Sequence, residues 1–91
     1  MNETTLLKFN RDTSIYASED REWNTLFLRS NLCYMQDLLK SRGYIYLNQI
    51  YELLGIAWNP EQNNRCYVND DHIEFGIIFV NDPAVVIEHK H

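Results

Sequence analysis

The chain has few of the residues that build ligand-holding loops or cross-links: three glycines, two prolines and two cysteines among 91 residues. So few glycines argue against a glycine-rich phosphate loop, and the catalytic patterns G-x-S-x-G and H-E-x-x-H do not occur. Cys33 and Cys66 lack the C-x-x-C spacing of a redox or metal motif. We therefore expect both to be buried free thiols.

The chain also lacks a long apolar run and a positive charge balance. No stretch of about 18 apolar residues occurs, and the first twenty residues mix charged and apolar types, so we expect a cytoplasmic protein with neither a membrane-spanning helix nor a signal peptide. Thirteen acidic and eight basic residues give a net charge of −5. This balance argues against direct nucleic-acid binding, which depends on Lys and Arg. It suits a basic protein surface, although such charge also serves solubility.

A length of 91 residues with 45% hydrophobic residues predicts a single folded domain over residues 1–91. The apolar patterns predict an α+β fold, with one long helix and one short helix packed on a small antiparallel β-sheet. Residues 4–9 read as a first strand, residues 65–68 and 72–80 as a β-hairpin, and residues 84–88 as a closing strand. Both faces are apolar toward the end of the second hairpin strand, so we expect that end to be covered on both sides.

The long helix is predicted from Ser18, whose hydroxyl can cap the first turn, to Arg42, with Gly43 as the left-handed stop. Two apolar stripes run along it: Trp23, Phe27, Tyr34 and Leu38 form the first, and Leu28, Leu32, Met35 and Leu39 form the second. Two stripes fit a central rod wrapped by the rest of the fold. They also fit a helix with one stripe left over for a homodimer or partner interface.

The short helix is predicted from apolar residues at i, i+3, i+4 and i+7, and Gly55 closes it. The residues of this pattern are Leu47, Ile50, Tyr51 and Leu54. The flanking aromatic residues Tyr44, Tyr46 and Trp58 fit ordinary packing at the edge of the core. They also fit an aromatic contact surface, since Tyr and Trp dominate interface hot spots.

Residues that could perform chemistry are sparse. Asp70, Asp71, His72 and Glu74 lie close together in sequence, but a hairpin turn explains the aspartates, and the glycine and final acid of a calcium loop are missing. We therefore expect no enzyme activity, no metal and no cofactor. The candidate binding residues are Tyr44, Tyr46, Asn48, Glu52, Trp58, Arg65, Asp70 and Asp71.

The segment R-G-Y-I-Y-L-N-Q-I-Y-E-L-L-G-I over residues 42–56, followed by I-E-F-G-I over residues 73–77, resembles an uncharacterised family of small phage and prophage proteins. The shared pattern is an R-G-aromatic-aliphatic-aromatic-L-N segment, a Y-x-x-L-G helix end and a later acidic-F-G strand. It covers about half of the chain. The resemblance implies a mobile-element protein and assigns no catalytic activity.

Three functions follow as hypotheses. The first is a non-enzymatic binding protein that engages a bacterial host protein, with a component of a host defence system as one candidate target. The second is an oligomer that sequesters a nucleotide-like small ligand, with Tyr and Trp stacking and Arg42 or Arg65 facing a phosphate. The third is a structural phage accessory protein.

Overall fold

The computed structural model describes residues 2–69 and 73–90, and these residues form the predicted α+β fold. In chain order the elements are β1 (Asn2–Lys8), α1 (Arg21–Arg42), β2 (Tyr44–Tyr46), α2 (Leu47–Leu54), β3 (Cys66–Val68), β4 (Ile73–Phe79) and β5 (Pro83–Lys90). Over the same residues, neither helix combines the length and the apolarity that crossing a membrane requires.

The strands are divided between two antiparallel sheets. One has the order β1-β5-β4 with β5 at its centre, and the other consists of β2 and β3. The predicted hairpin between residues 65–68 and 72–80 is wrong, because β3 pairs with β2 and β4 pairs with β5. Hydrogen bonds close the small sheet at both ends: the Asn69 N–H donates to the Gly43 carbonyl (3.0 Å), and the Leu47 N–H donates to the Arg65 carbonyl (2.7 Å).

The ends of α1 follow capping chemistry. The Asp20 carboxylate accepts hydrogen bonds from the backbone N–H groups of Glu22 (3.0 Å) and Trp23 (3.3 Å), so Asp20 is the N-cap and the prediction of Ser18 was wrong by two residues. Gly43 ends the helix at φ 87° and donates its N–H to the Leu39 carbonyl, which confirms the predicted stop.

The two stripes of α1 differ in burial. In the second stripe, Leu28, Met35 and Leu39 are fully buried, whereas Trp23 and Tyr34 of the first stripe are exposed. The main core consists of Leu7, Phe9, Leu28, Met35, Leu39, Ile45, Leu47, Ile50, Leu54, Tyr67, Ile73, Val85 and Ile87. The helix is therefore the rod on which both sheets and α2 pack, and it also keeps a partly uncovered apolar stripe.

The segment between β1 and α1 closes over the end of α2. The Ser14 hydroxyl donates to the Leu54 carbonyl, and the Ile15 N–H donates to the Gly55 carbonyl (3.0 Å). Gly55 has φ 70°, so this predicted helix end is also confirmed. Side-chain atoms of Ser14, Ile15 and Tyr16 lie within 3.0 Å of the position that a Cβ on Gly55 would take, so little room remains there for a side chain.

The three-stranded sheet has one covered face and one open face. The side chains of Val85 and Ile87 lie in the core against α1. On the opposite, outer face, Leu6 of β1 and Ile78 of β4 are exposed. The prediction that the end of β4 is covered on both sides is therefore wrong.

Both described cysteines are exposed, so the prediction of buried thiols is wrong. Cys66 alternates along β3 with the buried Tyr67, and this alternation points the two side chains to opposite faces. Cys33 precedes Tyr34, which is also exposed, on the side of α1 away from Met35 and Leu39.

Candidate functional site: a groove between the two helices

A groove of about 390 Å³ lies between the C-terminal half of α1 and one side of α2. We call it the α1–α2 groove. Its lining residues are Tyr16, Tyr34, Leu38, Arg42, Gln49, Glu52 and Leu53. The groove is open to solvent, and its walls combine two tyrosines, two leucines and a pair of opposite charges.

The two walls arise from helical spacing. Tyr34, Leu38 and Arg42 follow one another at intervals of four residues, which places them in one row along α1. Gln49 and Leu53 have the same spacing on α2. Two walls of the groove are thus helical rows, and Tyr16, from the segment before α1, completes the lining.

Arg42 is held in place by its neighbours. Its Nη2 donates to the Gln49 side-chain oxygen (2.9 Å), and its guanidinium carbon lies 4.6 Å from the centre of the Tyr44 ring. The same Gln49 oxygen accepts the Tyr46 backbone N–H (3.0 Å) at the start of α2. Gln49 therefore links the beginning of α2 to the end of α1.

Tyr44 and Tyr46 extend this surface beyond the groove. Both side chains are exposed, their rings meet edge to face at 5.8 Å, and their strand neighbours on the same face are Val68 and Cys66. Through the stacking of Arg42 on Tyr44, the tyrosine pair is continuous with the α1–α2 groove. Tyr and Arg are the residue types that carry most binding energy at protein interfaces.

The predicted binding residues divide into two groups. Tyr44, Tyr46 and Glu52 lie at the groove or beside it. Asn48 does not line the groove. Its backbone N–H donates to the Asn64 side chain (2.9 Å), and this hydrogen bond anchors the loop after α2. Trp58 is half-buried and meets Tyr51 edge to face at 5.0 Å, which makes it a packing residue.

Arg65 has its own site, between the two sheets. It forms an ion pair with Glu3 of β1, its guanidinium contacts His89 Nδ1 of β5, and its guanidinium carbon lies 5.3 Å from the Tyr67 ring centre. Since Arg N–H groups only donate, His89 Nδ1 is the acceptor in this contact. Asp70 and Asp71 lie outside the described residues.

Of the seven groove residues, only Glu52 was in the predicted set; the six others are Tyr34, Leu38, Gln49, Leu53, Arg42 and Tyr16. A signal for the first two was present in the sequence, because both belong to the first apolar stripe of α1, which one interpretation left for a partner. Arg42 was considered only as a phosphate ligand. Tyr16 lies at the groove because the Ser14 contact holds the segment before α1 against the end of α2. No local sequence pattern indicates that contact.

No protein-family model, curated protein or solved structure significantly matches this chain. The resemblance to small phage and prophage proteins therefore stays a prediction.

Proposed function

We propose that the chain is a small phage- or prophage-encoded, non-enzymatic binding protein that takes a segment of a bacterial host protein into the α1–α2 groove. A component of a host defence system is one candidate target, and the host cytoplasm is the proposed location. The observation that carries the proposal is the open groove itself, in which Tyr34 and Leu38 of the uncovered stripe face α2 beside a fixed arginine.

The chemistry of the groove favours a protein segment over a phosphate-bearing ligand. Arg42 is the positive group of its lining, but Glu52 lies in the same groove and opposes an anion. The other arginine considered for a phosphate, Arg65, is paired with Glu3. Rows of apolar and aromatic groups on two helices match the way grooves take the apolar face of a partner helix.

The test is affinity capture of the tagged protein from a bacterial host lysate, with mass spectrometry of the proteins and small molecules retained. Two variants decide whether the groove is responsible. Tyr34→Glu places a charge in the groove, and Leu26→Glu places the same charge elsewhere on α1, at a residue of similar exposure (59% against 52% for Tyr34). We expect Tyr34→Glu to lose the captured protein and Leu26→Glu to keep it.

A protein retained equally by both variants would contradict the groove as the binding surface. A retained nucleotide-like compound would support the sequestering function in its place. Circular dichroism of both variants supplies the control, because each substituted side chain is exposed and the helical signal should match that of the unmodified protein.

A further inference from the structure

The outer edge of β4 pairs with no other strand of the described residues. The Phe9 N–H donates to the Pro83 carbonyl (3.1 Å), so the backbone of Pro83 faces β1. The hydrogen-bonding direction of the backbone alternates along an antiparallel strand, so the N–H and C=O groups of the even-numbered residues of β5 face β4. The register pairs these residues with the even-numbered residues of β4. The backbone groups of Phe75 and Ile77 therefore point out of the sheet, and no described residue bonds to them on that side.

This edge is also apolar. Ile78, Phe79 and Val80 have exposed fractions of 42%, 54% and 54%, and β4 contains neither Lys nor Pro. Its pairing with β5 continues without a bulge from Ile73 to Phe79. Charged edge residues, prolines and bulges are the usual means by which proteins prevent strand pairing between chains, and β4 has only Glu74.

The other edge of the same sheet is protected. The Lys8 carbonyl at the edge of β1 accepts the Thr13 hydroxyl (2.8 Å), and the Lys8 side chain adds a charge there. Polar residues occupy the beginning of this strand. The β1 edge is therefore protected against strand pairing and the β4 edge is not. This difference indicates that the β4 edge is adapted to pair with a strand from another molecule.

We propose that two copies of this chain pair through their β4 edges, antiparallel about a two-fold axis at Ile77, to form one continuous six-stranded sheet. In this register Ile77 lies opposite its own copy, and Phe75 lies opposite Phe79 of the second copy. Both pairs have backbone groups that face the partner, as hydrogen-bonded antiparallel pairs require.

Side chains select this register over its neighbours. It places Ile78 of each copy opposite Gly76 of the other, where no atom of the described residues, apart from the chain neighbours of Gly76, lies within 4 Å of the position of a Cβ. It places Glu74 opposite Val80, so the pairing opposes no like charges. A register centred on Phe75 would place Phe79 four positions from the axis instead of two, and would bury less of the exposed apolar end.

A second copy fits this edge because β4 is complementary to itself. Across the axis Phe75 lies opposite Phe79, Ile77 lies opposite Ile77, and Gly76 lies opposite Ile78. Assembly stops at two, since the remaining edges of the six-stranded sheet are the two protected β1 strands. A seven-residue strand interface is small, and each copy carries a net charge of −5. We therefore expect a dimer that dissociates on dilution and is strengthened by salt.

The first experiment is sedimentation velocity over a concentration series, at low and high salt, on the unmodified protein and two matched variants. Ile78→Lys and Leu6→Lys place the same charge on the outer face of the sheet, at residues of 42% and 45% exposure on opposite edges. We expect the unmodified protein to approach twice its 10.9 kDa mass. Ile78→Lys should weaken the dimer at least about tenfold, and Leu6→Lys should leave it unchanged.

Three results would overturn the proposal. One is a monomer at every concentration. Another is a dimer that both variants weaken equally, because this would indicate stacking of the outer faces. The third is a dimer that neither variant weakens. The α1–α2 groove shares no residue with β4, so capture by Tyr34→Glu and association by Ile78→Lys test separate surfaces.

The second experiment tests the register by disulfide formation, with Cys33 and Cys66 replaced by Ser. A mixture of Gly76→Cys and Ile78→Cys chains should form the mixed disulfide under mild oxidation, because facing residues of neighbouring strands lie within disulfide range. Predominant cross-linking of Gly76→Cys to itself would show a register centred on Gly76 and contradict the axis at Ile77.

Discussion

Gly43 and Gly55 end the two helices with nearly the same backbone, at φ 87° and 70°, but their surroundings differ. Among the described residues, a Cβ on Gly43 would meet no atom within 4 Å, whereas a Cβ on Gly55 would lie 2.5 Å from Tyr16 Cδ2 and 3.0 Å from Ser14 Oγ. Alanine at the two positions therefore separates the cost of a left-handed backbone from the cost of a steric clash.

The magnitudes follow from these two terms. A left-handed conformation costs an alanine about 1–2 kcal/mol, partly offset by the smaller entropy of its unfolded chain, so we expect Gly43→Ala to lower the free energy of unfolding by about 1 kcal/mol. Gly55→Ala adds overpacking, which costs about 1–3 kcal/mol. Tyr16 is exposed and can move, but Ser14 is buried and bonded to Leu54, so the clash is only partly relieved. We expect a total loss of about 2–4 kcal/mol at Gly55.

The assay is urea unfolding followed by circular dichroism at 25 °C, performed on both variants and the unmodified protein. Equal slopes with separate midpoints would show that stability alone has changed. Equal losses for the two variants would refute the close contact between residues 14–16 and the end of α2. A loss at Gly43 as large as that expected for Gly55 would refute the open surroundings of the first helix end.

Three further substitutions test the core and its polar contacts. The Tyr67 hydroxyl is buried with no hydrogen-bond partner among the described residues, so Tyr67→Phe should leave the midpoint of thermal unfolding unchanged or raise it by about 4–8 °C; a clear decrease would reveal a partner. Leu39 is fully buried, and Leu39→Asp should abolish the cooperative unfolding transition in calorimetry. Asn24 exchanges two 2.8 Å hydrogen bonds with the backbone of Ser18, so Asn24→Ala should lower the free energy of unfolding by about 1–3 kcal/mol in urea titration, and a change under 0.5 kcal/mol would contradict that role.

Features that depend on neighbouring residues were predictable from the sequence. The end of α1 at Arg42, the bounds of α2 and both left-handed glycines follow from periodicity and capping, which act over a few residues. The N-cap of α1 was predicted at Ser18 instead of Asp20 because these two candidate capping residues lie close together in the sequence. Local rules do not decide between them once Asn24 binds the backbone of Ser18.

Strand pairing was less predictable, because it is decided by contacts between distant residues. Only four residues separate the segment at 65–68 from β4 in the sequence, which is the local signal of a hairpin. Its partner is instead β2, more than twenty residues earlier, and hydrogen bonds from Leu47 and Asn69 fix that arrangement at the two ends. Alternation along a strand indicates which side chains share a face, but it does not name the strand opposite.

The same distinction accounts for the candidate site. Tyr44 and Tyr46 were predictable as a surface pair because alternate residues of a strand share a face, and the structure places Ile45 between them in the core. Arg65 was not predictable, because its sequence neighbours give no sign of the partner carboxylate of Glu3 on the first strand. An arginine close to a tyrosine in the sequence, as Arg65 is to Tyr67, is typical of a binding surface. The ion pair with Glu3 instead makes Arg65 a link between the two sheets. Composition can therefore suggest which residues bind something, whereas topology determines whether they bind another molecule or their own chain.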